Sequence, residues 1–305
     1  MNEDQSQLDP LIESVTSALE RTFDLLFRDF DLVRFLLLAL LAFLANCGDP
    51  SLSFNVDIPD IRMPQTTEDL VVFFAVQGGY LAVVLGIGVV GLLVAVLFLF
   101  ISSRGMMAFI DGLVTGEPGV DAFTDKAQAA NRLFLFRASY VIGIPVCAMA
   151  LVVVMMLLSI ALQALVGNEL AAFARLAAVG ISLLALPIVL LVYVVDRIVL
   201  DLAAPIMYVQ GTSVRESFQL LAAAPNLDVF QVVIYVVARF IIGLLILLIT
   251  FPAYCICYCA MLIPGMSSLI LLPFTVFSRN IALQWLARMD PAAYGMLAPG
   301  HDDPA

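Results

Sequence analysis

Long apolar runs separated by short polar breaks dominate this chain, and a few shorter segments instead show apolar residues at helical three–four spacing. Leu8, Leu11, Ile12, Val15, Leu19, Phe23, Leu26 and Phe30 form such a stripe, with Glu13, Ser17, Glu20, Arg21, Asp24 and Arg28 mostly elsewhere. The spacing predicts an amphipathic helix over 1–31 lying in a membrane interface, held by apolar burial because its polar face is acidic. Six apolar runs follow, over about 32–47, 68–101, 134–166, 170–195, 227–262 and 266–288. Most reach the roughly 20 residues that cross a bilayer core. The expected fold is therefore all-α: an integral membrane bundle of about six transmembrane helices (32–289) with amphipathic interfacial helices. The Pro/Gly-rich tail, 290–305, is expected to be disordered.

The breaks carry their own signals. Residues 47–69 contain Pro50, Pro59 and Pro64 and read as an irregular loop, with Thr66 and Asp69 marking a helix start. Gly78, Ala82 and Gly86 recur every fourth residue in the second run, a spacing that lets another helix backbone approach closely. The segment 102–132 reads as a polar connection holding a second, weaker amphipathic stretch (Val120, Phe123, Ala127, Ala130, Phe134). Pro145, Pro187 and Pro252 are expected to kink or break their runs. Amphipathic segments near residues 8, 120 and 213 each precede a pair of spans, which suggests three helix-plus-hairpin units.

Composition changes the picture in two ways. At 63% hydrophobic and 13% charged, with mean hydropathy +1.06, the chain lies far from the soluble average. The net charge is −11 and Lys126 is the single lysine, so a basic nucleic-acid surface is excluded. With the N-terminus inside, cytoplasmic segments hold Arg21, Arg28, Arg34, Arg104, Lys126, Arg132, Arg137, Arg197, Arg215, Arg279 and Arg288, against Arg62 and Arg175 outside. That bias predicts a multi-pass protein of the cell (inner) membrane with both termini cytoplasmic. The acidic N-terminus lacks a positively charged n-region, so a cleavable secretory signal is not expected. LANC at 44–47 resembles a lipoprotein cleavage site, but Asn46 stands where a small residue belongs, so a plain helix end is expected.

Candidate chemistry is sparse. Cys255, Cys257 and Cys259 alternate faces of a helix, and the only histidine is His301, in the tail. Neither pattern meets the needs of a structural zinc site, and the cysteines are expected to pack as small apolar residues. There is no GxSxG, HExxH, phosphate loop or GxGxxG sequence. No catalytic residue, cofactor or metal is therefore assigned. Arg239 lies about three turns inside the fifth run, where an unpaired guanidinium costs several kcal/mol. Asp196 or Asp201, at the end of the fourth run, is its expected partner, with Glu216 second, the alternative being that Arg239 snorkels toward the cytoplasmic headgroups; Arg239, Asp196 and Asp201 form the candidate intramembrane ion-pair cluster. Five residues apart, the two aspartates do not share a helical face, which argues against paired-carboxylate catalysis. After them Pro205 is expected to stop the helix, Gly211 to give a turn, and Ser213 with Glu216 to form a capping box opening a new helix.

The stretches LLFRDFDLVRFLLLALLAFLANCG, SSRGMMAFIDGL, DRIVLDLAAPIMYVQGTSVRESFQLL and LPFTVFSRNIALQWLARMDP, in this order, resemble an uncharacterised family of prokaryotic polytopic membrane proteins. The P-I-M-Y-x-x-G-x-S-V-x-E-S-F part is also similar to the membrane domain attached to some glycerophosphodiester phosphodiesterases. The resemblance implies a six-helix membrane domain and transfers no catalytic residues, since the phosphodiesterase barrel is a separate part. The expected function is a non-enzymatic scaffold or accessory domain acting through membrane lipids, other membrane proteins or a second copy of itself. The alternative is a small-solute transporter or permease using the polar cluster.

Overall fold

The computed structural model describes residues 3–28, 30–47, 67–119, 121–144, 146, 187, 191–224, 229–256 and 266–297. Among these the regular structure is entirely helical. In chain order the helices are α1 (Glu3–Phe23), α2 (Leu32–Asn46), α3 (Thr67–Thr115), α4 (Ala122–Asp125), α5 (Ala127–Val141), α6 (Ala204–Gln210), α7 (Val214–Ala223), α8 (Val229–Ile256), α9 (Met266–Ile270), α10 (Leu272–Met289) and α11 (Pro291–Tyr294). Residues 191–198 are also helical and run into α6 through a π-turn, Val199–Ala203. Residues 147–186, Cys257, Cys259 and His301 lie outside the described residues, and with them the boundary between the third and fourth runs.

A single core gathers α1, α2, the C-terminal part of α3, α5, α6, α7 and α10. The amphipathic α1 lays its inner row, Leu11, Ser14, Ala18 and Thr22, against α10. Asn280 Nδ2 donates to Thr22 Oγ1 at 3.0 Å, and Arg288 donates to Glu13 Oε2 at 2.6 Å and to Ser17 Oγ at 2.7 Å. Its other row, Ile12, Leu19 and Phe23, stays exposed and continues through Phe27 and Phe30 to Leu36 and Leu40. The stripe read as one interfacial face is thus two faces, one packed on protein and one open.

Helix α3 is 49 residues long, roughly 74 Å, more than twice a bilayer core. It continues through 102–115, where a polar connection was expected. Small residues explain this: a Cβ on Gly105 would lie 2.7 Å from the Leu44–Ala45 backbone, so α2 presses directly on α3 here. Ser102 Oγ donates to the Ala45 carbonyl at 2.6 Å, and Met106, Met107, Phe109, Ile110 and Leu113 are fully buried around the contact. Arg21 Nη2 closes the C-terminal end of α3 by donating to the Leu113 and Val114 carbonyls at 2.7 and 3.2 Å, the acceptor-rich pole of a helix.

Of the small residues expected to allow close packing in α3, only Gly86 has described surroundings. Gly78 and Ala82 lie on α3 where the side-chain surroundings are not described, while Gly86 is exposed and a Cβ there would meet nothing within 4 Å. The described close approach is at Gly105. Pro252 lies inside α8 and does not break it. The start of the tail is ordered: Asp290 accepts from Ala293 N at 3.1 Å, and Tyr294 and Leu297 are buried.

Two described helical stretches are long and apolar enough to cross a membrane: Gly88–Thr115, with mean hydropathy 2.2, and Phe230–Pro252, with 2.9. α10, in the run expected as the sixth span, is mostly buried against the other helices and carries Arg279, Asn280, Gln284 and Arg288.

Candidate functional site

The site is organised by residues 191–223. Helix 191–198 does not stop before Pro205. A proline in a regular helix lacks one donor and its ring crowds the carbonyl four residues earlier, here that of Asp201. The π-turn Val199–Ala203 widens the backbone over this position, with Ala204 N–H reaching back to the Val199 carbonyl, and Pro205 then sits in the first turn of α6. Gly211, at φ +65°, ends α6 in the left-handed conformation that glycine adopts without strain. Arg132 Nη1 donates to the Gly211 carbonyl at 2.7 Å and ties this turn to α5. Ser213 and Glu216 form the capping box: Glu216 N donates to Ser213 Oγ at 3.3 Å, and Ser213 N to Glu216 Oε2 at 2.8 Å. The Ser213 backbone N–H, then its side chain, holds the Glu216 carboxyl below the usual range.

Two buried ion-pair centres flank this segment. In the first, Arg137 of α5 is fully buried and grips Asp196 with both edges of its fork, Nε to Oδ1 at 2.8 Å and Nη2 to Oδ2 at 3.1 Å. Its Nη1 donates to Ser102 Oγ at 3.0 Å, and Tyr140 Oη donates to Asp196 Oδ1 at 2.5 Å. In the second, Asp201 accepts from Arg239 Nε at 3.0 Å on one oxygen and from Arg279 Nη1 on the other. Arg239 Nη2 also donates to Ser278 Oγ. Tyr208 completes the frame by donating to Asp111 Oδ1 of α3 at 2.6 Å; burial, then that bond and the Asp111 charge, push its phenol well above the usual range.

The geometry divides the expected cluster. Arg239 meets Asp201, but Asp196 belongs to Arg137, and Glu216 serves the cap and not an ion pair. Sequence reasoning missed Arg137, Tyr140, Ser102 and Arg279. The signal is present: Arg137 in LFLFRASY and Arg279 in VFSRNIAL are each the one charged residue of a mainly apolar stretch, as Arg239 is. The orientation count assigns both to cytoplasmic segments, whereas both are buried.

Beside the second centre lies an open cleft of about 510 Å³. The end of α2 (Phe43, Asn46, Cys47), Arg197, α8 from Arg239 to Thr250, and α9–α10 from Ser268 to Arg279 line it. Among the described residues the lining brings three arginines, several hydroxyls and no carboxylate. Cys47 is a free thiol there. Among the described residues no three His, Cys, Asp or Glu side chains come together as a metal site. Cys255 lies in α8, and what surrounds its side chain is outside the description.

A family model described as a family of unknown function, DUF7544, matches residues 11–297. No curated protein and no solved structure matches the chain. The resemblance to the phosphodiesterase-attached domain thus has no named relative to support it.

Proposed function

We propose, for a chain that belongs to the DUF7544 family, the role of a multi-pass inner-membrane protein that acts without catalysis, as a helical scaffold working through bound lipids and partner proteins. About six spans with both termini cytoplasmic complete this reading. The observation that carries it is α8. Over Phe230–Pro252 only 6% of its most apolar window is buried, and large side chains from Phe230 through Phe240 and Leu248 to Phe251 stand half or more exposed. Leaving eleven such side chains in water costs on the order of 10 kcal/mol, as much as a whole domain's stability. Lipid or a partner helix removes that cost. Yet α8 is also held firmly, by Arg239 on Asp201 and by the Tyr235 ring against Trp285 at 4.6 Å between centroids.

The test is fractionation followed by mild-detergent purification from native membrane. Resistance to alkaline carbonate extraction, both termini reporting the cytoplasmic side, and defined lipids or proteins co-purifying are the expected results. Recovery in the aqueous fraction would end the membrane reading. A transporter is the second reading, favoured by the arginine-lined cleft; solute flux in liposomes that Arg239→Gln abolishes would establish it over the scaffold.

A further inference from the structure

We propose that the cleft between α2, α8 and α9–α10 binds a phosphate group, carried by an anionic amphiphile or free, with Arg197, Arg239 and Arg279 as its cationic ligands. The amphiphile arm rests on the membrane reading above; the free-phosphate arm does not.

The chemistry of the lining carries the inference. A guanidinium is planar, permanently charged and forked, and it matches phosphate oxygens in pairs. Three such groups reach one cleft from three separate elements, and no carboxylate lines it among the described residues. Asp201 stands behind the wall and takes one donor from Arg239 and one from Arg279, which fixes where both forks point. Ser278 Oγ on the same wall accepts from Arg239 and keeps its own O–H to donate to a phosphate oxygen, whereas Thr250 and Thr275 donate to carbonyls of their own helices. A nearby low-dielectric surface strengthens every such contact relative to water.

Size and shape extend the argument to an amphiphile. The cleft's 510 Å³ falls in the range of small-molecule sites and exceeds what a phosphate alone fills. The remaining wall is apolar, from Phe43 to Phe274, and Leu247 passes from the cleft to the exposed face of α8. A headgroup at the arginines would therefore leave its apolar part along α8.

The experiment uses the full chain, wild type and two variants. Arg197→Gln removes a charge that the Arg239–Asp201–Arg279 centre does not need for its named contacts. Gly243→Leu keeps every charge but fills the cleft: a Cβ there meets nothing within 4 Å, so the side chain grows into open space. Thermal midpoints are measured in neutral detergent with inorganic phosphate against chloride at matched ionic strength. They are measured again in phosphatidylcholine nanodiscs with and without phosphatidylglycerol. The wild type should rise by about 3 °C at a probe concentration ten times its Kd, and both variants should lose that rise. A response to phosphatidylglycerol alone identifies a lipid headgroup, and a response to phosphate identifies the free ion. No response of the wild type to either probe, or a rise that persists in either variant, overturns the site. A chain that does not enter nanodiscs but responds to phosphate in solution would remove the membrane reading and leave the cleft standing. One that enters and responds to neither probe would do the reverse.

Discussion

The two buried centres make opposite predictions for pairs of substitutions that a single cluster would treat alike. Consider Arg137→Met and Asp196→Leu. Arg137 is 0% exposed and binds Asp196 through two hydrogen bonds, at 2.8 and 3.1 Å. Removing either partner strands the other charge in the core, at about 3–5 kcal/mol. For a chain of this size that lowers the thermal midpoint by roughly 6–12 °C. The double variant leaves no buried charge, so its loss should match one single loss rather than the sum, with a coupling of about 3 kcal/mol. Asp196 and Arg239 share no partner among the contacts found, so that second pair should be additive within about 0.5 kcal/mol. Scanning fluorimetry in one detergent, on all four proteins of each cycle, reads both numbers. Additive losses for Arg137/Asp196, or strong coupling for Arg239/Asp196, would refute the two-centre arrangement.

Three other outcomes follow from the same geometry. Asp201→Asn should destabilise more than Arg239→Gln, because it leaves two guanidiniums facing one amide, with a loss of about 3–5 kcal/mol in the thermal midpoint assay. Gly105→Ala should cost about 1–3 kcal/mol through the 2.7 Å clash with the Leu44–Ala45 backbone, whereas Gly86→Ala, in open space, should be neutral or gain up to about 1 kcal/mol; equal effects would deny that α2 presses on α3 at Gly105. Ser213→Ala should cost about 1 kcal/mol at neutral pH by loss of the cap. Because the Glu216 carboxyl is held below its usual value, its part of that stability is complete above the unfolded value near pH 4.3 and disappears as pH falls through the lower folded value. The gap between wild type and variant should therefore narrow only in acid, and a gap that narrows on raising the pH would contradict the sign.

What the sequence made legible was local. The capping box at Ser213 and Glu216 is read from two residues three apart, because its partners are neighbours in the chain. The stripe of α1 is read from periodicity, although periodicity does not say that Leu11 and Ala18 meet protein while Ile12 and Leu19 do not. Long-range choices were out of reach. Gly86 and Gly105 carry the same chemistry, and only the path of α2 selects Gly105. Pro205 was misjudged because a π-turn, which leaves no sequence signature, relieves the clash that would have ended the helix.

The spacing of the two aspartates carries further than its first use. On a regular helix, residues five apart diverge by about 140°. That divergence counted against two carboxylates working on one group, and it counts equally against both reaching Arg239. A buried carboxylate still needs a partner, so two divergent ones require cations from two directions. Arg137 on α5 supplies one, and Arg239 on α8 with Arg279 on α10 supplies the other. Taken with the Tyr208–Asp111 and Arg132–Gly211 bonds, residues 191–211 reach α3, α5, α8 and α10 by polar contacts. In the membrane role proposed above, helices with lipid on their outer faces gain little from apolar contact with each other, since lipid tails are as apolar as leucine. Directional bonds can then set which helix stands where, and the spacing of Asp196 and Asp201 places them to do so on two sides at once.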